Sequence, residues 1–389
     1  MRKKYCISVL LPMILCCLLF SACGKKETST IEYGPVGNRA EIDFAASQNF
    51  WADPVGMQRG ENGYYFVEGI NDLRYLDIET GENIPLCNKP ECTHEIENCN
   101  ASLGNQLGFT MASAFLRYCD GFLYVPYFAD EEDESGKIAI GRVNPDGSGS
   151  ERLVDLYEYS AENRNDMLLL HFEVDHGFAY YTMINGMEEG YRSFEIYSIE
   201  LKKGAEPKLI DSSEEYDAPM WLGRQRIWDQ KLYYSYYSAD GNYSHSGLKC
   251  YSIDTGDTEV LLEDKNVTEM AMVDQTLYCL IYTSNGNEIL ALDINTKEVR
   301  EFSGEVDASG VYRISWDGQS FCTYHQEDST ISFFNKEEKL VGRIEVSDKY
   351  LSPDIIWGDS ERLFVYDAST LVSYYDKTLG EWKDIAGVR

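Results

Sequence analysis

Asn62-Gly63-Tyr64-Tyr65-Phe66-Val67, followed by Leu73-Arg74-Tyr75-Leu76-Asp77-Ile78-Glu79-Thr80-Gly81-Glu82-Asn83-Ile84-Pro85-Leu86, is the stretch that decides the fold. A tight-turn dipeptide leads into an aromatic, β-branched run. A second apolar run follows, then a polar turn and a third short run. Asn-Gly supplies the positive φ that a two-residue hairpin needs. Aromatic and β-branched residues suit a pleated, half-buried surface. The stretch therefore reads as consecutive antiparallel strands.

The unit recurs along the chain. Asp120-Gly121 precedes Phe122–Val125, and Ile138–Val143 runs up to a turn containing Asp146-Gly147. His176-Gly177 precedes Phe178–Tyr181 and the run Phe194–Leu201. Leu232–Tyr234, Leu277–Leu280, Phe321–Tyr324 and Leu363–Tyr366 open four further copies. An additional strand precedes most of them, as at Ala114–Tyr118, Met270–Val273 and Tyr312–Trp316, which gives four strands per unit. One such meander cannot bury both faces and both edges, whereas radial stacking covers the faces. Residues 48–389 divide into seven units of about 49 residues, near the usual blade length. The expectation is all-β: a single β-propeller of seven four-stranded blades, six or eight following if one degenerate unit is miscounted. Twenty-nine tyrosines against 16 phenylalanines support strands with one wet edge over long helices.

The strand-turn unit Leu73–Glu82 resembles that of low-density-lipoprotein-receptor-like β-propellers. More narrowly, it looks like the propeller-bearing surface lipoproteins of clostridial-type bacteria, many of which carry domains of unknown function. That resemblance implies a fold and a location and no reaction.

The amino terminus agrees with such a location. Arg2, Lys3 and Lys4 precede an apolar run from Ile7 to Phe20, and Phe20-Ser21-Ala22-Cys23 follows. The run is shorter than the roughly 20 residues a permanent transmembrane helix needs, so it reads as an export signal. The last four residues resemble the lipobox of bacterial lipoproteins, with Phe20 where that family usually has Leu. The resemblance implies cleavage before Cys23 and its lipidation, making 1–22 the signal peptide and 23–47 the lipidated cysteine and a polar, flexible tether. Two or three acyl chains, at about 0.8 kcal/mol per buried CH₂, anchor a protein stably to the outer face of the cell membrane.

The net charge of −32 becomes three units more negative without Arg2, Lys3 and Lys4. Such a balance excludes nucleic acid as a partner, which needs a basic face. A monomer is expected.

One segment departs from the repeat: Cys87, Cys92, His94 and Cys99 fall within 13 residues. Three thiols and an imidazole are a donor set for a structural tetrahedral Zn²⁺. In an oxidising exterior a disulfide is the competing reading, leaving one thiol over. A similar segment recurs in the lipoproteins named above. Cys119, Cys250, Cys279 and Cys322 sit in apolar strands, as small hydrophobes do.

Remaining candidates are weaker. The acidic run Asp130–Glu134 lacks the alternating spacing of a calcium loop and reads as a solvated hairpin tip. His171, His176, His245 and His325 have no acidic or nucleophilic partner at motif spacing, so no catalytic residue is assigned. Trp221, Trp228, Trp316 and Trp357 fall on or near first strands, which line a propeller's channel. They offer either stacking surfaces for a ligand or packing between blades. The functional expectation is a surface propeller that binds a peptide, glycan or partner protein at the channel mouth and its loops. A lyase or hydrolase working in the channel is the alternative.

Overall fold

The computed structural model describes residues 57–385 apart from 61, 70, 96–97, 108, 111–114, 131–135, 161, 164–165, 187–191, 214–217, 242–244, 347–352, 355–357 and 368–369. Cys23, the leader, the tether and Trp357 lie outside the described residues, as does most of the acidic run after Asp130.

Several hairpins turn at residues with positive φ, but the expected Asn62-Gly63 turn does not form: Gly63 lacks positive φ and opens the strand Gly63–Glu68. Asp120-Gly121, His176-Gly177 and Asp229-Gln230 have positive φ at both central positions, as a type I′ turn requires. A second turn recurs further along the unit. In it Asp77, Asp293 and Asp376 accept backbone N–H bonds from Thr80, Thr296 and Leu379 at 2.7, 2.8 and 2.9 Å. The fifth residue of each (Gly81, Lys297, Gly380) takes positive φ and donates its N–H back to the aspartate's carbonyl.

These turns join strands within seven antiparallel sheets, which follow one another in sequence order. Blade 1 comprises Gln58–Arg59, Gly63–Glu68, Asp72–Asp77 and Asn83–Pro85. In blade 2 the first-strand role is shared by Phe109–Thr110 and Arg117–Cys119, both paired with Phe122–Asp130 and followed by Gly136–Val143 and Ser150–Tyr159. Blade 3 is Met167–Asp175, Phe178–Asn185, Ser193–Glu200 and Lys208–Ser212. Blade 4 is Met220–Trp228, Lys231–Ser238, Gly247–Ser252 and Thr258–Glu263. Blade 5 is Asn266–Val273, Thr276–Thr283, Gly286–Asp293 and Val299–Glu301. Blade 6 is Val311–Trp316, Phe321–His325, Thr330–Phe334 and Leu340–Glu345. Blade 7 is Pro353–Asp354, Arg362–Asp367, Thr370–Asp376 and Glu381–Asp384.

The core is a set of interfaces with no single centre. Seven apolar clusters each join one neighbouring pair of blades, and together they complete the ring. The cluster of Met57, Tyr64, Phe66, Leu76, Phe364, Leu371 and Ile385 joins blade 7 to blade 1. Tyr64 and Phe364 meet edge to face at 4.7 Å there, and Tyr64 Oη donates to Asp359 at 2.5 Å. The fold is a closed seven-bladed β-propeller, as the repeat predicts. The clusters are the reason for the strands' apolar, aromatic composition: each buried large side chain contributes about 1.5–3 kcal/mol.

Candidate functional site

The cysteine–histidine segment is an excursion between blades 1 and 2. Both its ends are pinned to one residue of blade 1: Leu86 N donates to Leu73 O at 2.9 Å, and Leu73 N donates to Ala101 O at 2.8 Å. Leu86 and Leu103 bury their side chains with Tyr65, Val67 and Leu73 of blade 1 and Leu123, Val125 and Val143 of blade 2. Gly147, in a hairpin of blade 2, packs against the excursion's first residues. Its φ is +71°, and a Cβ there would lie 2.6 Å from Leu86 O. Asn100 Nδ2 donates to Gly147 O at 2.9 Å.

Within this frame the ligand atoms of Cys87, Cys92, His94 and Cys99 all lie within 4.8 Å of one another. A tetrahedral ion with metal–sulfur bonds of about 2.3 Å has ligand edges of about 3.8 Å, so a small contraction suffices. His94 reaches in from positive φ (59°), and its Nδ1 is 3.4 Å from Cys99 Sγ. All three cysteines are free thiols. Burial pushes the Cys87 thiol up, but amide N–H groups of Lys89 and Asn100 aimed at its sulfur bring it below the ordinary thiol value. Burial pushes Cys99 up to about 11 despite the Ala101 N–H bonded to its sulfur at 3.3 Å. Backbone amides around the sulfurs are the surroundings that orient and stabilise thiolate ligands. The donor set and its spacing fit a closed, four-ligand metal site.

A second constellation lies on the first strands, which contact one another in turn from blade 1 to blade 6. Arg117 of blade 2 holds Glu173 of blade 3 through two bonds, at 2.9 and 3.2 Å. Arg226 of blade 4 lies 3.4 Å from the same carboxylate. These three residues share one register, opposite Tyr124, Tyr180 and Tyr233. A second set repeats the pattern: Glu269 of blade 5 accepts from Arg224 of blade 4 at 2.7 Å and from Arg313 of blade 6. β-Bulges place it. Glu269 and Arg313 directly follow register shifts at Thr268 and Tyr312, and Arg224 lies inside a third. A bulge re-aims the side chain beside it. His171 follows the equivalent shift in blade 3. The arginines outweigh the burial of Glu269 and hold its carboxyl below the usual range.

Sequence reasoning did not find these triads. The available signal was a lone charge inside an apolar strand, as in Phe172-Glu173-Val174 and Glu269-Met270-Ala271. A local motif cannot pair such charges, because each partner comes from another blade.

The tryptophans are distributed among interfaces. Trp228 is buried between blades 4 and 5, and Trp316 between blades 5 and 6. Trp221 is half-buried at the interface of blades 3 and 4, with the Arg192 guanidinium 4.5 Å over its ring. His176 Nδ1 lies 3.1 Å from Asp175 in a turn, and His325 Nδ1 lies 3.1 Å from Asp328. Cys250 and Cys279 are buried thiols pushed by that burial to about 11 and about 12.

No known protein family profile matches the sequence, and no curated protein matches it. Solved structures do match in shape. A puromycin hydrolase S511A mutant complexed with PGG aligns at TM-score 0.58 and 11% identity over 91% of this chain and 57% of its own. A streptogramin B lyase aligns at TM-score 0.50 and 12% identity over 84% of this chain and 93% of its own. An oligogalacturonate lyase in complex with manganese aligns at TM-score 0.49 and 12% identity, over 76% and 78%. The chain thus spans little more than half the length of the puromycin hydrolase. What it shares with the puromycin hydrolase and the streptogramin B lyase is the β-propeller fold.

Proposed function

We propose that this chain is a lipid-anchored, extracytoplasmic propeller that binds a peptide, glycan or partner protein at its channel and the adjoining loops. Cys23 carries the acyl chains, residues 24–47 form the tether, and the ring is held off the outer face of the membrane. The observation that favours binding over catalysis is the engagement of two carboxylates on the first strands. Glu173 and Glu269 are each clamped between two guanidinium groups. A carboxylate so held is already engaged, whereas a general acid or base needs a free path to the reacting proton.

The anchor and the binding role are tested separately. Wild-type protein should incorporate a palmitate analogue and stay with the envelope, and Cys23→Ala should lose both label and retention. Envelope pull-downs and a glycan array should return a saturable ligand; empty results from both would remove the binding reading.

The excursion at Cys87, Cys92, His94 and Cys99 holds a structural Zn²⁺ that staples blade 1 to blade 2. A closed set of four protein ligands leaves no position for substrate, so the ion supports the fold. Metal analysis of protein purified without reductant should find one zinc per chain with no disulfide in this segment. Two oxidised cysteines and no metal would reverse that assignment.

A further inference from the structure

Blades 6 and 7 do not close on each other along their third and fourth strands. A hollow of about 430 Å³ opens there, with Phe333, Gly342 and Ile344 of blade 6 on one side and Tyr375 of blade 7 on the other. Gly342 is the reason for it. It stands opposite Phe333 in register and offers no side chain to fill the space beside that ring. The β-bulge at Phe333/Phe334 leaves Val341 without a cross-strand partner, and Val341 lines the rim with 59% of its surface exposed. Ile344 and Tyr375 supply the apolar wall, and Trp382 packs edge-on against the Tyr375 ring at 5.2 Å.

The charged groups at the hollow are already taken up. Asp317 and Lys377 pair with each other. Asp317 also accepts from Gln319 N and Ser320 N at 2.8 and 2.5 Å. Lys377 donates to Asp359 O at 2.7 Å and sits 5.3 Å over the Phe333 ring. Arg343 borders the hollow, but strand alternation sends its side chain to the face opposite Gly342, where Nε donates to Ser332 Oγ at 3.2 Å. What is left is neutral: the Gln319 amide, the hydroxyls of Ser320, Ser360 and Thr378, and the Tyr375 phenol. None of these side-chain groups has a hydrogen-bond partner among the described residues. Each can both donate and accept.

A small-molecule site combines an apolar wall with a few convergent polar groups. Here the polar groups carry no spare charge, so they match a ligand that presents C–H faces and hydroxyl edges. We propose that the hollow between blades 6 and 7 binds a neutral sugar unit of a glycan, seated against Tyr375 and Ile344 and hydrogen-bonded by Gln319, Ser320 and Thr378. The site is built chiefly from third and fourth strands, so it goes beyond the channel reading and stands independently of it.

Gly342 also allows a substitution that spares the fold. A Cβ there would meet one atom, Phe333 Cδ2 at 3.7 Å, an ordinary van der Waals contact, and the backbone is in a conformation open to any residue. Gly342→Val should therefore keep or raise the melting temperature, because a glycine inside a strand weakens it. Calorimetric titration of the intact protein with maltose, cellobiose, lactose and N,N′-diacetylchitobiose should give saturable one-site binding for at least one of them. Gly342→Val should weaken that binding at least about tenfold by filling the hollow. Thr378→Ala, which removes one hydrogen bond, should weaken it about threefold. A wild type that saturates with none of the four, or a folded Gly342→Val protein that binds as the wild type does, overturns the proposal. So does glucuronate binding tighter than glucose, since that would mark a site for an acid. Should Gly342→Val not fold, Thr378→Ala decides: its hydroxyl holds no other group, and unchanged sugar binding in that variant would sink the assignment.

Discussion

Glu338 takes positive φ (59°) in a hairpin of blade 6, and its carboxylate is buried against blade 5. It accepts from Tyr278 Oη and Ser303 N, both at 2.7 Å, and from Arg300 at 3.0 Å. Burial alone would raise its pKa, but the Arg300 and Ser303 bonds outweigh it and hold the group at about 2. A carboxylate depressed from 4.5 contributes stability that is complete above pH 4.5 and lost as the pH falls toward 2. Glu338→Gln should therefore cost about 2–3 kcal/mol at pH 7 by denaturant titration, and the gap from wild type should narrow at pH 3. Gly147→Ala acts through the backbone. It forces a side chain into positive φ against Leu86 O, at about 1–3 kcal/mol, and a melting curve would read the loss. Neither role is legible in the sequence. Lys336-Glu337-Glu338-Lys339 looks like any solvated tip until blade 5 is placed beneath it.

At the scale of elements, the hairpins were legible because turn chemistry is local. Asp120-Gly121 and His176-Gly177 announce type I′ turns, and both form them. The cysteine–histidine excursion was equally visible as a departure from the repeat, and its four ligands do converge. Its anchorage was not visible, since the Leu73 backbone groups and Gly147 carry no sign of what they hold. This geometry sets the expected response to metal removal. Chelation should lower the melting temperature by about 5 °C and raise amide exchange across 86–102 more than in blades 3–6. Cys99 must lose a proton held to about 11 before it can ligate, so zinc affinity should fall as the pH is lowered. Equal exchange in all blades after chelation would contradict the staple.

For the whole molecule, the architecture followed from the period, because a unit that cannot bury its own faces has few ways to satisfy them. The charges on the first strands did not follow, since each pair forms only when neighbouring blades dock. Closure itself depends on one contact surface. Blade 1 is built from the first described strands and blade 7 from the last, so among the described residues no strand is exchanged between them. The seam holds through side chains such as Tyr64, Phe66 and Phe364. Phe364→Ala should cost about 3–5 kcal/mol, and Tyr64→Phe, which deprives Asp359 of a donor, about 1–2 kcal/mol, both read by denaturant unfolding. A blade made of one uninterrupted stretch has a further consequence, in the order of synthesis. As the polypeptide emerges from the ribosome, each blade has all its strands as soon as its fourth has appeared, and it can dock on the one before it. Only the seam must wait for blade 7. Until then blade 1 keeps an apolar flank open to water, and that flank is where a chaperone or a second nascent chain would find this protein first.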